Sequence, residues 1–177
     1  MHKHGHIGLS LAVAAPIAII FGYFFGPQWA TLTLIFSFIT SRVPDFDHRT
    51  ELIAHRGFTH TIWFAIIISL AGALIITQIS TIAGTGPENA GITLSNITNL
   101  LPTFAMTFTG FMIGFISHLI GDIITEAYDY TVNPFWPVSN VAYTLSWTKA
   151  DSKVWNWGLL LLGIFSTGIT FITIFIW

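Results

Sequence analysis

The sequence predicts an all-α protein, a polytopic membrane helix bundle of about five transmembrane helices, the second one short. Three observations carry that expectation. Hydrophobic residues make up 53% of the 177 positions and Asp, Glu, Lys and Arg only 8%, against roughly 25% charged residues in a soluble domain. Long apolar segments recur that reach the about 20 residues a bilayer crossing needs. The basic residues cluster on alternate connections between those segments. The length predicts a single membrane-embedded domain over residues 1–177.

The first segment, 7–25, is longer than the apolar core of a secretory signal, and no convincing cleavage site follows it, so a retained span is expected. Gly26-Pro27 reads as a tight turn into the second, 29–41. At roughly 20 Å of helix that segment crosses only with flanking residues or a thinned bilayer, and a re-entrant hairpin is its alternative. Pro44 ends it. The remaining spans are expected at 61–83, 101–124 and 157–177. If all five cross, Lys3, Arg42, Arg49, Arg56, Lys149 and Lys153 share one face, while the loop 84–100 on the other carries no basic residue. Lys and Arg in short loops stay cytoplasmic. The expected placement is therefore the inner or plasma membrane, with a cytoplasmic N-terminus and an outward C-terminus. Asn96-Ile97-Thr98 in the bare loop is a glycosylation acceptor pattern of a kind common by chance.

A net charge of −2 with no basic run excludes a nucleic-acid partner. Zero cysteines exclude disulfides and thiolate metal sites.

Against this apolar background, residues 43–60, "VPDFDHRTELIAHRGFTH", hold Asp45, Asp47 and three of the seven histidines. If Asp45 and Asp47 lie on extended backbone they share a side, with His48 opposite. His55 and His60 are out of phase for one helix face, so Gly57 is expected to turn the chain. Thr59 is the expected N-cap of the third span, with His60 in its first turn. On the fourth span "GFISHLIGDIITE" places His118 and Asp122 one helical turn apart on one face. An ionisable pair is costly in hydrocarbon, which makes it a functional candidate; a hydrogen-bonded lock between helices is the alternative. His6 enters the first span from the same side. His6, Asp45, Asp47, His48, His55, His60, His118 and Asp122 exceed the about three protein ligands of a catalytic zinc. Two or three divalent ions follow, or fewer with a generous surround of orienting groups. The thiolate-free donors favour zinc, with manganese or iron as alternatives.

Gly5-His6, "VPDFDH", "HRGFTH" and "GFISHLIGDIIT" followed by "NPFWP" together resemble the YdjM-like family of inner-membrane metal-dependent hydrolases. That family is also described as LexA-binding membrane proteins and is related to zinc-dependent phospholipase C and the P1-type nucleases. The resemblance implies a multinuclear site in which His118 and Asp122 are metal ligands with Asp45, His55, His60 and His6. Family members often read Thr-Pro-x-Gly after the helical Asp, whereas Thr125 here precedes Glu126-Ala127-Tyr128, so Glu126 stands open as ligand, base or helix end. A LexA-type partner is not carried over.

The function expected from these residues is hydrolysis of a phosphoester in a lipid or lipid-linked substrate at the cytoplasmic face. Arg56 would stabilise phosphoryl oxygens, and Asp47 or His48 would move the proton. A metal-ion transporter or sensor predicts ligands through the depth of several spans, and a scaffold with a structural metal predicts a closed four-ligand site. The aromatics of "NPFWPVSNVAYTLSW" suit a membrane interface, as an anchor or a lid.

Overall fold

The computed structural model describes residues 1–49, 57–85, 94–126 and 131–176, with side chains for all of these except 48–49, 83–85 and 94–99. The helices are α1 (Lys3–Phe25), α2 (Pro27–Thr40), α3 (Ile62–Thr85), α4 (Leu94–Ile124) and α5 (Lys153–Phe175). Short 3-10 turns at Pro44–Arg49 and Phe58–His60 lie between α2 and α3, and two-residue strands β1 (Thr125–Glu126) and β2 (Thr148–Lys149) pair in parallel. The all-α expectation holds. By length and apolarity α1, α3, α4 and α5 can each cross a membrane. With 14 residues, α2 rises about 21 Å, short of the roughly 30 Å of bilayer hydrocarbon.

Apart from a few such as Phe36 and Phe115, the side chains the helices bury are mainly small or polar, while most large apolar ones are exposed, the reverse of a water-soluble protein. On α1 the buried stripe is His6, Ser10, Ala14, Ala18 and Gly22, each four residues from the last. Phe24, Ile20 and Val13 of the same helix point outward. With lipid tails as solvent, nothing is gained by sequestering large side chains, so close backbone approach and hydrogen bonds hold the helices together. Ser10 of α1 donates to the carbonyl of Ser37 on α2 at 2.8 Å. Gly8 and Gly163 lie backbone to backbone where α1 crosses α5. α1 packs on α5, α2 and α4, and α3 packs on α4.

One α4 stripe positions the site. Gly110, Gly114, His118 and Asp122 are spaced by four. A Cβ at Gly114 would strike the Thr40 hydroxyl and the Ser37 carbonyl, and one at Gly110 would press on Phe36 and Thr33. The two glycines let α2 lie against α4, and the next residue of the stripe, His118, then meets the C-terminal end of α2 at Ser41. Thr40 seals that contact by donating to the Phe111 carbonyl at 3.0 Å.

After α4 the chain returns beside its own helix end. The amides of Leu145 and Trp147 donate to the carbonyls of Ile123 and Ile124 at 2.7 and 2.9 Å, satisfying acceptors that a helix terminus leaves open. Pro134 accepts from the Ile62 amide at 2.8 Å, tying this aromatic segment to the start of α3. Phe135, Trp136, Tyr143 and Trp147 are exposed around it.

Two local expectations are corrected. Pro44–Arg49 is a 3-10 turn rather than extended backbone. The N-cap of α3 is Thr61, not Thr59: Thr61 Oγ1 accepts from the Phe64 amide at 3.2 Å, because the Phe58–His60 turn delays the helix until Ile62. His60 therefore precedes α3 instead of occupying its first turn.

Candidate metal centre

His6 from α1, Asp45 and Asp47 from the 3-10 turn after α2, His60 from the turn before α3, and His118 and Asp122 from α4 converge at one end of the bundle. His6, His60 and His118 are fully buried, Asp47 and Asp122 nearly so, and Asp45 is half-buried.

The tautomers follow from the partners. His118 Nδ1–H donates to the carbonyl of Ser41 at 2.8 Å. His60 Nδ1–H faces Asp47 Oδ2 at 3.2 Å and Thr59 Oγ1 at 3.1 Å, while the Thr59 hydroxyl donates to the same carboxylate oxygen at 2.8 Å. In each neutral ring the Nε2 atom then presents a lone pair. Those two Nε2 atoms are 3.3 Å apart. Asp122 Oδ2 is 3.3 Å from that of His118 and 3.4 Å from that of His60. Asp45 Oδ1 lies 3.5 Å from His118 Nε2.

With both rings neutral, three electron-pair donors form a nearly equilateral triangle, with a fourth beside it. One shared proton relieves a single edge of such a triangle; a cation at its centre relieves them all. A tetrahedral zinc with bonds of about 2.0–2.1 Å requires donors about 3.3 Å apart, and these separations meet that requirement. The donor set, imidazole and carboxylate without sulfur, suits zinc and the neighbouring divalent ions. Oriented Nδ1–H groups behind metal-binding histidines are the usual supporting arrangement.

His6 belongs to the other side of Asp122. Its ring stacks on His118 with centroids 3.9 Å apart, and its Nε2 lies 3.0 Å from the Met1 carbonyl and 3.3 Å from Asp122 Oδ1. The same Asp122 oxygen accepts from the Met1 amino group at 3.0 Å. His6 Nδ1 is buried without a hydrogen-bond partner, and a Cβ at Gly121 would crowd it. Besides that triangle, two overlapping groups among the described residues have donors close enough to share an ion: His6, His118 and Asp122, and Asp45, His60 and His118. His118 belongs to both.

Five of the six expected ligands are therefore brought together. The sixth, His55, lies outside the described residues with Arg56, and so does the side chain of His48. Asp47 stands behind His60 rather than beside the triangle. Glu126 is on β1 in register with Lys149 and belongs to neither donor group; it borders a separate cleft with His2 and Asp151. His4 stacks on Trp157.

Sequence reasoning missed Ser41, which acts through its backbone and leaves no side-chain signal. It also missed Thr59 as the residue bridging Asp47 and His60. The glycine spacing ahead of His118 and Asp122 was a readable signal for the α2 contact.

Fold and site together define a polytopic helical membrane protein with a buried imidazole and carboxylate cluster at one end of its bundle. The chain belongs to the YdjM inner membrane protein family, whose family model matches residues 1–177. No curated protein and no solved structure matches it significantly.

Proposed function

We propose that this protein is a membrane-embedded, metal-dependent hydrolase that cleaves a phosphoester of a lipid or lipid-linked substrate at the cytoplasmic face. The observation that carries the reading is the triangle of His60 Nε2, His118 Nε2 and Asp122 Oδ2, three buried acceptors facing one point. His60, His118, Asp122 and Asp45 would hold one divalent ion, zinc in preference, and His6 with Asp122 Oδ1 would contribute to a second; His55 joins them through the family resemblance. Such ions supply an acidified water and neutralise phosphoryl charge.

The chain's own groups do the rest. Ser41 and Asp47 fix the ring orientations of His118 and His60. Asp47, expected as a proton acceptor, is better suited to that positioning role, which leaves His48 as the candidate base and Arg56 as the candidate donor to phosphoryl oxygens. Asp45 is the open side of the cluster, so substrate approaches past it. All five helices cross in this reading, with the short α2 reaching both interfaces through its flanking turns and the six basic residues on the cytoplasmic side.

Two rival readings are less well supported. The donors gather at one end of the bundle rather than along its depth, which does not suit a transport path. The half-buried Asp45 does not suit a closed structural site. The test is turnover: detergent-purified protein loaded with zinc or manganese, assayed for phosphatase and phospholipase activity on a panel of phosphate-bearing lipids. Release of phosphate or headgroup, abolished by Asp122→Ala, supports the proposal. No activity on any lipid with metal bound rejects it.

A further inference from the structure

A cleft of about 420 Å³ opens beside the candidate centre. Its wall is divided: Lys3, Arg42 and Asp45 on the polar side, Phe38, Ile39 and Phe46 on the apolar side. Both cations are exposed, and neither forms an ion pair with a described residue. The three apolar side chains are about half exposed.

The division follows depth in the membrane. α1 runs 23 residues from Lys3 to Phe25, about 34 Å, so with Phe25 at one hydrocarbon boundary Lys3 stands at the other. Arg42 follows the C-terminal end of the antiparallel α2 at the same level. Phe38 and Ile39 lie one turn deeper, within hydrocarbon. A cleft that is cationic at headgroup depth, apolar one turn below and open along α2 matches an amphiphile with an anionic head. It does not match a small water-soluble anion, which would have no use for Phe38 and Ile39. Arg42 provides a planar fork for phosphate oxygens and Lys3 a compact charge.

We propose that this cleft binds an anionic phospholipid, its phosphate held by Lys3 and Arg42 and an acyl chain laid along Phe38, Ile39 and Phe46. The phosphate is thereby presented at Asp45, the exposed edge of the metal cluster. That the bound lipid is also the substrate rests on the hydrolase reading above; that it binds does not.

Binding is measured by native mass spectrometry of the full chain in detergent, titrated with phosphatidylglycerol, with diacylglycerol of the same chains, and with inorganic phosphate as competitor; turnover and metal content are read in parallel. The wild type is expected to retain phosphatidylglycerol in preference to diacylglycerol, and phosphate is expected not to displace it. The double variant Lys3→Gln, Arg42→Gln should bind roughly thirtyfold more weakly, each near-surface cation contributing a factor of about five. Ile39→Trp, which fills the apolar wall and keeps both charges, should also lose the lipid. Unchanged metal content in either variant shows that it folds. Lipid retention by both variants at the wild-type level, or displacement by phosphate, overturns the cleft assignment while leaving the hydrolase reading standing. Binding without turnover supports the cleft and counts against the hydrolase.

Discussion

The Nε2 atoms of His60 and His118 stand 3.3 Å apart, and each is directed there by an acceptor on its own Nδ1, Asp47 for one and the Ser41 carbonyl for the other. Two neutral imidazoles arranged in this way meet lone pair to lone pair, and Asp122 Oδ2 adds a third. An electron-rich pocket of this kind, at the end of an apolar bundle, is relieved by a positive charge between its members, a metal ion or a shared proton.

Metal content tests that statement directly. Elemental mass spectrometry on folded wild-type protein in detergent should find about two or three divalent ions per chain. His118 is common to both donor groups, so His118→Ala should remove all of them, and Asp122→Ala likewise because its two oxygens face the two groups. Asp45→Ala should retain more metal than either. A folded wild type free of metal without exposure to chelator would mean that shared protons hold the cluster as a helix lock.

Asp47 separates two roles that look alike in the sequence. As the partner of His60 Nδ1 it would act on metal affinity, so Asp47→Asn should weaken binding about 10–100-fold, and Thr59→Ala, which removes the second contact, should weaken it less. Metal titration of the purified variants gives both numbers. Undiminished affinity with abolished turnover would instead make Asp47 the proton acceptor.

How much was legible beforehand depended on which group did the work. Apolar length showed where α1, α3, α4 and α5 lie, because a span must be long and uncharged whatever it packs against. The spacing of His118 and Asp122 showed one shared face, because helix geometry fixes it. Asp45 and Asp47 could be nominated but not told apart: only the 3-10 turn decides that one faces His118 and the other His60. Ser41 was invisible because any residue carries a carbonyl. Thr59 and Thr61 compete as caps with equal chemistry, and the length of the Phe58–His60 turn settles the choice.

The absence of cysteine from the chain makes topology accessible by single-cysteine labelling in intact cells. Cysteines replacing Lys3 and Lys153 should resist a membrane-impermeant maleimide, and cysteines at Ala90 and Ile176 should react. That pattern requires all five helices to cross. Should α2 turn back instead, the termini would fall on the same side, and positions 3 and 176 would behave alike.

Gly114 links fold to site, and a paired substitution shows how tightly. In Gly114→Ala the new methyl meets the Thr40 hydroxyl, the Ser37 carbonyl and the Ser41 amide, two of them backbone atoms that cannot swing aside. α2 must then move off α4, at about 1–3 kcal/mol for an overpacked contact. The same displacement draws the Ser41 carbonyl from His118 Nδ1, so metal affinity should fall although no ligand was touched. Gly158→Ala on α5 is the control, since a Cβ there meets nothing within 4 Å and alanine is the better helix former by up to about 1 kcal/mol. Denaturant unfolding in mild detergent, with metal titration alongside, should therefore show loss of both stability and affinity in the first variant and loss of neither in the second. If Gly114→Ala lost stability but bound metal like the wild type, the α2 and α4 contact would be structural only, and the orientation of His118 would not depend on it.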